Sequence, residues 1–321
     1  MQEGVKSLLL RNLAAILDEK GNHIFPFSIF HFPQKVYIYM RYITFILMFM
    51  LSSLVACTKE RDRVVDLIIF MGQSNMAGRG VVNSKHQEDA PSVSETSGME
   101  FRAYSDTTKL YPITKYFGKT EDNPQGINDH QKKSGGMVPS FVNACHARTK
   151  VPVIAVSASE GGTRTSQWLP GGQRLTDAVQ RLGKTVKWLT DNGYTIRRKV
   201  MVWTQGESDA DNHVAAEEYE SNLRKIIDAM KDEGIEHCFL IRIGMYNGGN
   251  KNMTYEPIRQ AQEHFCSVND DCTMASRLLS TFREKGMMKD AFHYYQDAYN
   301  RVGEDAGKLV GKKLKKRASM H

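Results

Sequence analysis

The sequence predicts an α/β fold, a three-layer α/β/α sandwich around a central parallel sheet. Five segments of strand length are apolar nearly throughout, and longer segments with helical periodicity lie between them. Continuous rather than alternating apolar strands indicate a sheet that helices cover on both faces. A chain of 321 residues, 41% hydrophobic and 25% charged, is long enough for one large domain of this kind.

The predicted strands are Val65–Met71, Val151–Val156, Lys199–Thr204, Cys238–Ile243 and Cys272–Leu279. Helical periodicity is clearest over Leu175–Asn192, Ala215–Met230 and Ala298–Leu309. Residues 80–133 are rich in Ser, Asp, Asn and Gly and have weak periodicity, so we expect a long excursion over one edge of the sheet. In an open sheet of this type, ligands bind beyond the carboxyl ends of the strands.

The net charge of +7 is concentrated at the two ends of the chain. Residues 302–321 carry six Lys or Arg and two Asp or Glu, and residues 1–57 carry five and three, so the remainder is nearly neutral. The terminal KKLKKR stretch suits contact with anionic lipid or nucleic acid, but it is also typical of the solvated end of a last helix. We expect the solvated helix end and no nucleic-acid partner.

The segment from Met40 to Cys57 has the pattern of a secretory signal peptide. Arg41 precedes a mostly apolar run over residues 43–54, which is too short to span a bilayer as a helix. The following LVAC resembles a bacterial lipobox, whose cysteine is lipidated. We therefore expect residues 1–39 to be an upstream extension, residues 40–57 a signal peptide with lipobox, residues 58–63 a linker and residues 64–321 the domain. We accordingly expect a lipoprotein that is anchored in a membrane through Cys57, in the periplasm or at the cell surface.

Four other cysteines lie in the predicted domain, at positions 145, 238, 266 and 272. Export permits disulfides, and Cys266 and Cys272 are close enough in sequence to be a candidate pair. No spacing is diagnostic, however, and buried free thiols are the default expectation. No group of Cys and His has the spacing of metal ligands, so no metal is expected.

Ser74 follows the first predicted strand, in the stretch LIIFMGQSNMAGRG that begins at Leu67. A serine at this position has its own amide at the beginning of a helix, where developing negative charge is favoured. The same position equally suits a helix N-cap. The stretch alone leaves a nucleophile and a turn residue as alternatives.

Three further segments carry groups that suit an acyl-transfer site. Gly161 and Gly162 follow a strand and can present backbone amides to an oxyanion, although a plain turn has the same composition. Gln205 and Glu207 follow the next strand as an amide donor and a carboxylate.

Near the C-terminus, a carboxylate and an imidazole have the Asp-x-x-His spacing, in which the carboxylate can orient the imidazole as a general base. That pair, Asp290 and His293, also suits a helix cap with a surface histidine.

The segments GQSNMAGRG, EGGTRTSQW, WTQGESD and DAFH together resemble the SGNH (GDSL-like) hydrolase superfamily. Within this superfamily, the sequences of these segments are similar to the sialate O-acetylesterase and carbohydrate esterase family six branch, which includes acetylxylan esterase-like proteins. The resemblance covers roughly residues 65–307. It implies a flavodoxin-like α/β/α sandwich and a serine esterase without a cofactor.

The resemblance also implies roles for individual residues. Ser74 matches the nucleophile, His293 the general base and Asp290 the acid that orients it. The amides of Ser74 and Gly162 and the side chain of Gln205 match the oxyanion hole. The usual Gly-x-Asn-Asp block of the superfamily is replaced here by a Gln-Gly-Glu sequence. This departure weakens the assignment of Gln205 and leaves Glu207 as an alternative acid or a substrate contact.

Three residues are candidates for binding the sugar, namely Asn75, Arg164 and Trp168. The indole of Trp168 is equally typical of core packing. The resulting hypothesis is a serine esterase that removes O-acetyl groups from an acetylated polysaccharide or from sialic acid through an acetyl-enzyme. Two alternatives stay open: a surface lipoprotein that binds glycans without catalysis, and a lipase or thioesterase of the same superfamily.

Overall fold

The computed structural model describes residues 63–250 and 253–317, so the expected extension, signal peptide, Cys57 and most of the linker lie outside the described residues. The strands of the described part are β1 (Arg63–Gly72), β2 (Gly98–Arg102), β3 (Asp106–Pro112), β4 (Val153–Ser159), β5 (Tyr194–Thr204), β6 (His237–Ile241) and β7 (Cys272–Ser276). The helices are α1 (Ser74–Ala77), α2 (Val138–Thr149), α3 (Gln173–Asp191), α4 (Glu207–Asp211), α5 (Ala216–Asp232), α6 (Glu256–Val268) and α7 (Gln296–Arg317).

The strands form one sheet in the order β3-β2-β4-β1-β5-β6-β7. All neighbouring strands are parallel except β2 and β3, which pair as an antiparallel hairpin at one edge. The order reverses at β1, because β4 lies on one side of it and β5 on the other. The carboxyl ends of β1, β4 and β5 therefore border the crevice where ligands bind in folds of this type.

Residues along β1 alternate between two hydrophobic cores, one on each face of the sheet. Leu67, Ile69 and Met71 pack in the core that contains apolar residues of α3, α5 and α6. Ile68 and Phe70 pack in the other core, with residues of α2 and α7. All five are at most 1% exposed. The predicted three-layer sandwich with a buried central sheet is thus confirmed.

The five predicted strands and three predicted helices are present. Their ends differ by up to five residues, except that α7 continues to Arg317, eight residues beyond the predicted end at Leu309. The last predicted strand is shorter than expected because β7 ends at Ser276 and a 3₁₀ turn follows over Leu278–Thr281. The β2–β3 hairpin was not predicted, and it lies within the polar excursion over residues 80–133. None of the helices in the described part combines the length and the apolarity needed to cross a membrane.

Candidate active site

Ser74 is the first residue of α1 and follows β1 after a sharp turn. Gly72 has φ +133°, and a Cβ atom there would lie 2.0 Å from the carbonyl oxygen of Thr204. Only glycine permits this approach of β1 to β5, and the amide of Gln73 then donates to the same oxygen at 2.9 Å. The turn places Ser74 at the carboxyl edge of the sheet, among the residues that line a cavity.

His293 and Asp290 lie in the loop that precedes α7. The Oγ atom of Ser74 lies 3.0 Å from Nε2 of His293, and Nδ1 of His293 lies 2.9 Å from Oδ2 of Asp290. The other carboxylate oxygen of Asp290 accepts the backbone N–H groups of Phe292 and His293, both at 2.8 Å. These two bonds fix the carboxylate relative to the imidazole, so the Asp-x-x-His spacing is sufficient to orient the ring.

The protonation equilibria of both residues are displaced toward the states that a general base requires. Burial lowers the pKa of His293, the hydrogen bond with Asp290 opposes this, and the pKa remains below its ordinary value. Burial of Asp290 opposes its ionisation, but the hydrogen bonds from Phe292 and His293 outweigh burial and lower the pKa. At neutral pH the imidazole is therefore uncharged, with Nε2 free to accept the serine proton.

A cavity of about 500 Å³ opens over Ser74 and His293. Its lining consists of Gln73, Ser74, Arg79, Asn128, Asp129, His130, Lys132, Glu160, Gly161, Gly162, Glu207, Ser208, Asp211, Phe292 and His293. Phe292 is the one apolar side chain among these lining residues, and it is 37% exposed. The cavity is thus polar, with an aromatic ring beside the histidine.

Two of the three expected oxyanion donors face this cavity. Ser74 and Gly162 both line it, and neither backbone amide donates a hydrogen bond to another group within the described residues. Gln205 differs: it is fully buried, and its side-chain nitrogen donates to Asp209 and to the Thr163 carbonyl. The structure does not bring the Gln205 amide to the cavity, because Asp209 competes for it inside the protein.

Glu207 lines the cavity but is paired with Asn75 rather than with the histidine. Asn75 Nδ2 donates to Glu207 Oε1 at 2.5 Å and to the Phe292 carbonyl at 3.2 Å. Burial raises the pKa of Glu207 to about 7, although the Asn75 bond opposes this. Among the described residues, the acid in contact with His293 is therefore Asp290.

None of the three candidate sugar contacts lines the cavity. Asn75 is fully buried, and its side-chain oxygen accepts the hydroxyl of Tyr299 at 2.6 Å. Arg164 is exposed outside the cavity. Trp168 is 0% exposed and packs edge-on against Trp203 in the core, so its expected place in a sugar site is wrong.

Sequence reasoning did not single out Arg79 and Asp129, which form a buried ion pair beside Ser74. Arg79 belongs to the same motif as Ser74, and this proximity was the available signal. Asp129 comes from the polar excursion, where weak periodicity gives no indication of which side chains turn inward. His130 and Lys132, from the same loop, also line the cavity.

A family profile described as carbohydrate esterase, sialic acid-specific acetylesterase, matches residues 64–310. The chain belongs to this family. It is accordingly a carboxylic ester hydrolase of the carbohydrate acetylesterase class, as the sequence motifs predicted. The matched range includes every residue of the site described above.

Individual relatives agree with this membership. A probable carbohydrate esterase of Arabidopsis thaliana is 28% identical over 218 residues, which is 66% of this chain and 80% of the relative. A crystal structure of an Arabidopsis thaliana protein superposes with a TM-score of 0.54 at 20% identity, covering 77% of this chain and 98% of that one. NanS gives a TM-score of 0.55 at 14% identity, covering 81% and 99%. At these identities, the two solved structures establish the fold of the esterase.

Proposed function

We propose that the protein removes O-acetyl groups from a carbohydrate, with Ser74 as nucleophile, His293 as general base and Asp290 as the acid that orients the base. The observation that carries the proposal is the chain of contacts from Ser74 Oγ to His293 Nε2 at 3.0 Å and from His293 Nδ1 to Asp290 at 2.9 Å. It lies at the wall of a cavity open to solvent, where an ester can reach Ser74.

In the first half of the reaction, Ser74 Oγ attacks the acetyl carbonyl carbon and His293 Nε2 takes the serine proton. The tetrahedral intermediate collapses as the sugar oxygen leaves and receives that proton from His293. In the second half, His293 takes a proton from water, which attacks the acetyl-serine ester. Acetate leaves and the proton returns to Ser74, so the enzyme is regenerated.

The negative charge of each tetrahedral intermediate falls on the former carbonyl oxygen. The amides of Ser74 and Gly162 are the donors proposed for this oxygen, since both line the cavity and neither donates elsewhere among the described residues. A single donor of this kind contributes about 3 kcal/mol to transition-state stabilisation.

The cavity lining supports a carbohydrate as the alcohol part of the ester. Apart from Phe292, the lining side chains are polar or charged, or are absent at glycine, which suits a hydroxylated ring better than a long acyl chain. Phe292 offers an exposed aromatic face for such a ring, in edge contact with His293 at 6.0 Å between centroids. The family description adds support for an acetylated sugar, with sialic acid and acetylated polysaccharides as the two substrates to compare.

The test is acetate release from a panel of acetylated polysaccharides and O-acetylated sialic acid. Ser74→Ala is expected to lose at least about 1,000-fold in kcat on whichever substrate the wild type uses. Ser208→Ala is the matched control, because this serine lines the same cavity without contacting His293. Saturable glycan binding without acetate release by the wild type would instead identify a binding protein.

We also propose that the mature protein is anchored through lipid on Cys57. Support comes from the sequence around this residue, a short apolar run that ends in LVAC. Metabolic labelling with a lipid precursor is expected to label the wild type and not Cys57→Ala. Equal labelling of the two proteins would contradict the anchor.

A further inference from the structure

Arg79 and Asp129 form a buried ion pair that the chemistry above does not use. Arg79 Nη1 and Nη2 donate to Oδ2 and Oδ1 of Asp129 at 2.8 and 2.7 Å. The two residues are 9% and 2% exposed, and both line the cavity over Ser74. A bidentate pair of this kind connects the segment that carries Ser74 with the polar excursion that carries Asp129.

Asp129 makes a third contact, to the turn that carries the proposed oxyanion donor. The backbone N–H of Gly161 donates to Asp129 Oδ1 at 2.7 Å, the same oxygen that accepts Arg79 Nη2. The backbone of Gly161 is also in close contact with its neighbours. A Cβ atom there would lie 2.6 Å from Arg79 Nη2 and 3.2 Å from the Cβ of Ser74.

We propose that Asp129 is a positioning residue for acyl transfer, which holds the Gly161–Gly162 turn against Ser74 and neutralises Arg79 beside the active site. The proposal rests on the proposed function, because its kinetic consequences are measured in ester hydrolysis. Asp129 does not contact the reacting atoms and acts through the Gly161 amide and through Arg79.

The Asp129 bond holds Gly161, whereas a side chain at Gly162 beside it would face open space. Gly162 has φ +75°, and no atom lies within 4 Å of where its Cβ would be. An oxyanion donor is effective only at hydrogen-bond distance from the developing charge. Glu160 and Thr163, on either side of the two glycines, keep their own hydrogen bonds to Gly72 and Gln205. Without the Asp129 bond, Gly161 between them can shift and move the adjacent Gly162 amide, and a displacement of about 1 Å reduces catalysis by up to about 100-fold.

The charge of Asp129 matters because Arg79 acts on the catalytic histidine. Burial lowers the pKa of His293, Asp290 raises it, and the positive charges of Lys289 and Arg79 lower it further. Asp129 compensates the charge of Arg79 at hydrogen-bond distance. Its removal leaves that cation uncompensated, so the pKa of His293 falls further and the acidic limb of kcat/KM moves to lower pH.

Two variants separate the hydrogen bond from the charge. Asp129→Ala removes both the acceptor for Gly161 and the charge, and we expect kcat for a small acetate ester to fall by about 10- to 100-fold with KM changed by less than about threefold. Asp129→Asn keeps one oxygen for Gly161 and is expected to retain kcat within about fivefold. Both variants shift the acidic limb to lower pH. Asp89→Asn is the matched control, because Asp89 is an exposed residue of the same excursion and is paired with Lys115. We expect this variant to change neither kcat nor the acidic limb.

Amide hydrogen exchange at Gly161 supplies a readout that does not depend on ester hydrolysis. Loss of the acceptor is expected to speed exchange by about tenfold in Asp129→Ala and not in Asp129→Asn. If Asp129→Ala does not fold, the pH profile of Asp129→Asn decides. The proposal is overturned if a folded Asp129→Ala keeps the kcat, the acidic limb of kcat/KM and the Gly161 exchange rate of the wild type. It is also overturned if the acidic limb of Asp129→Asn is not shifted. If the wild type shows no ester hydrolysis that is lost in Ser74→Ala, the proposed function is contradicted instead. The exchange measurement at Gly161 still tests the Asp129 contact in that case.

Discussion

Asn75 donates its side-chain amide to Glu207 at 2.5 Å, and this bond links the residue after Ser74 to the first residue of α4, just after β5. The same amide reaches the carbonyl of Phe292, while its oxygen accepts the hydroxyl of Tyr299 on α7. The turn that carries Ser74, the start of α4 and the loop that carries His293 are thereby held together. Glu207 thus accepts a hydrogen bond from Asn75 in this set of contacts, whereas Asp290 contacts the imidazole of His293.

The two carboxylates are therefore expected to differ when each is neutralised. The charge of Asp290 orients His293 and raises the pKa of the imidazole, and Asp290→Asn removes this charge. We therefore expect kcat/KM to fall by about 1,000-fold or more and its acidic limb to move to lower pH. Glu207→Gln keeps an acceptor for Asn75 and is expected to lose about tenfold or less, with the limb unmoved. The measurement is kcat/KM for a small acetate ester against pH. A larger loss in Glu207→Gln would reverse the assignment of the two acids.

A buried carboxylate on β2 is expected to make stability fall as pH rises. Glu100 is 2% exposed, and burial raises its pKa from 4.5 to about 7 despite a hydrogen bond from Gly118. Between these two values the folded protein holds a proton that the unfolded chain has lost, so the free energy of unfolding decreases with pH across this window, by on the order of 3 kcal/mol.

Glu100→Gln cannot ionise and is expected to lose less stability between pH 5 and pH 8 than the wild type does. Urea unfolding at the two pH values measures the difference. Glu95→Gln is the control, because it makes the same substitution at an exposed glutamate. An identical pH dependence in Glu100→Gln and the wild type would show that Glu100 is ionised in the folded protein throughout this range.

Phe292 is expected to contribute to sugar binding and not to the chemistry of the acetyl group. Phe292→Ala should reduce kcat/KM for an acetylated sugar by about tenfold and for ethyl acetate, which has no ring, by less than about twofold. Tyr116→Ala is the control, since Tyr116 is 46% exposed but does not line the cavity. Equal losses on both esters would indicate that Phe292 supports His293 instead.

Cys266 on α6 and Cys272 on β7 are free thiols with sulfur atoms 3.3 Å apart. We expect oxidised glutathione to take two electrons and two protons from this pair, so that the pair becomes a disulfide and two molecules of reduced glutathione are formed. The loop it closes is short, so stabilisation is modest, about 2 kcal/mol, and Tm rises by a few degrees. Thiol titration after denaturation should fall by two groups. Loss of the same two groups in Cys266→Ser would exclude this pairing.

The elements that the sequence predicted share a physical reason. A strand buried on both faces, such as Val65–Met71, must be apolar at consecutive positions, so its pattern is visible without the structure. The spacing of Asp290 and His293 was informative because their contact is local and needs only the turn between them. The edge strand β3 was missed because four of its first five residues are polar and it is largely exposed.

Contacts between distant segments were not predictable in the same way. Asp129 meets Arg79 across 50 positions, and nothing in the local composition distinguishes it from its solvated neighbours. Trp168 was equally suited to a core and to a sugar site, since an indole is apolar in either place. The side chain of Gln205 was assigned to the oxyanion hole by resemblance, whereas it donates to Asp209 on α4 and to the carbonyl of Thr163, which is 42 positions away.

The central claim is that Ser74 is the residue that receives the acyl group. The most direct measurement is reaction with a serine-reactive phosphonate ester, followed by peptide mass mapping and an assay of the remaining acetate release. We expect one label on Ser74, with activity lost in proportion to labelling, and no label in Ser74→Ala. A label on another residue that accompanies inactivation, or full acetate release from protein labelled at Ser74, would contradict it.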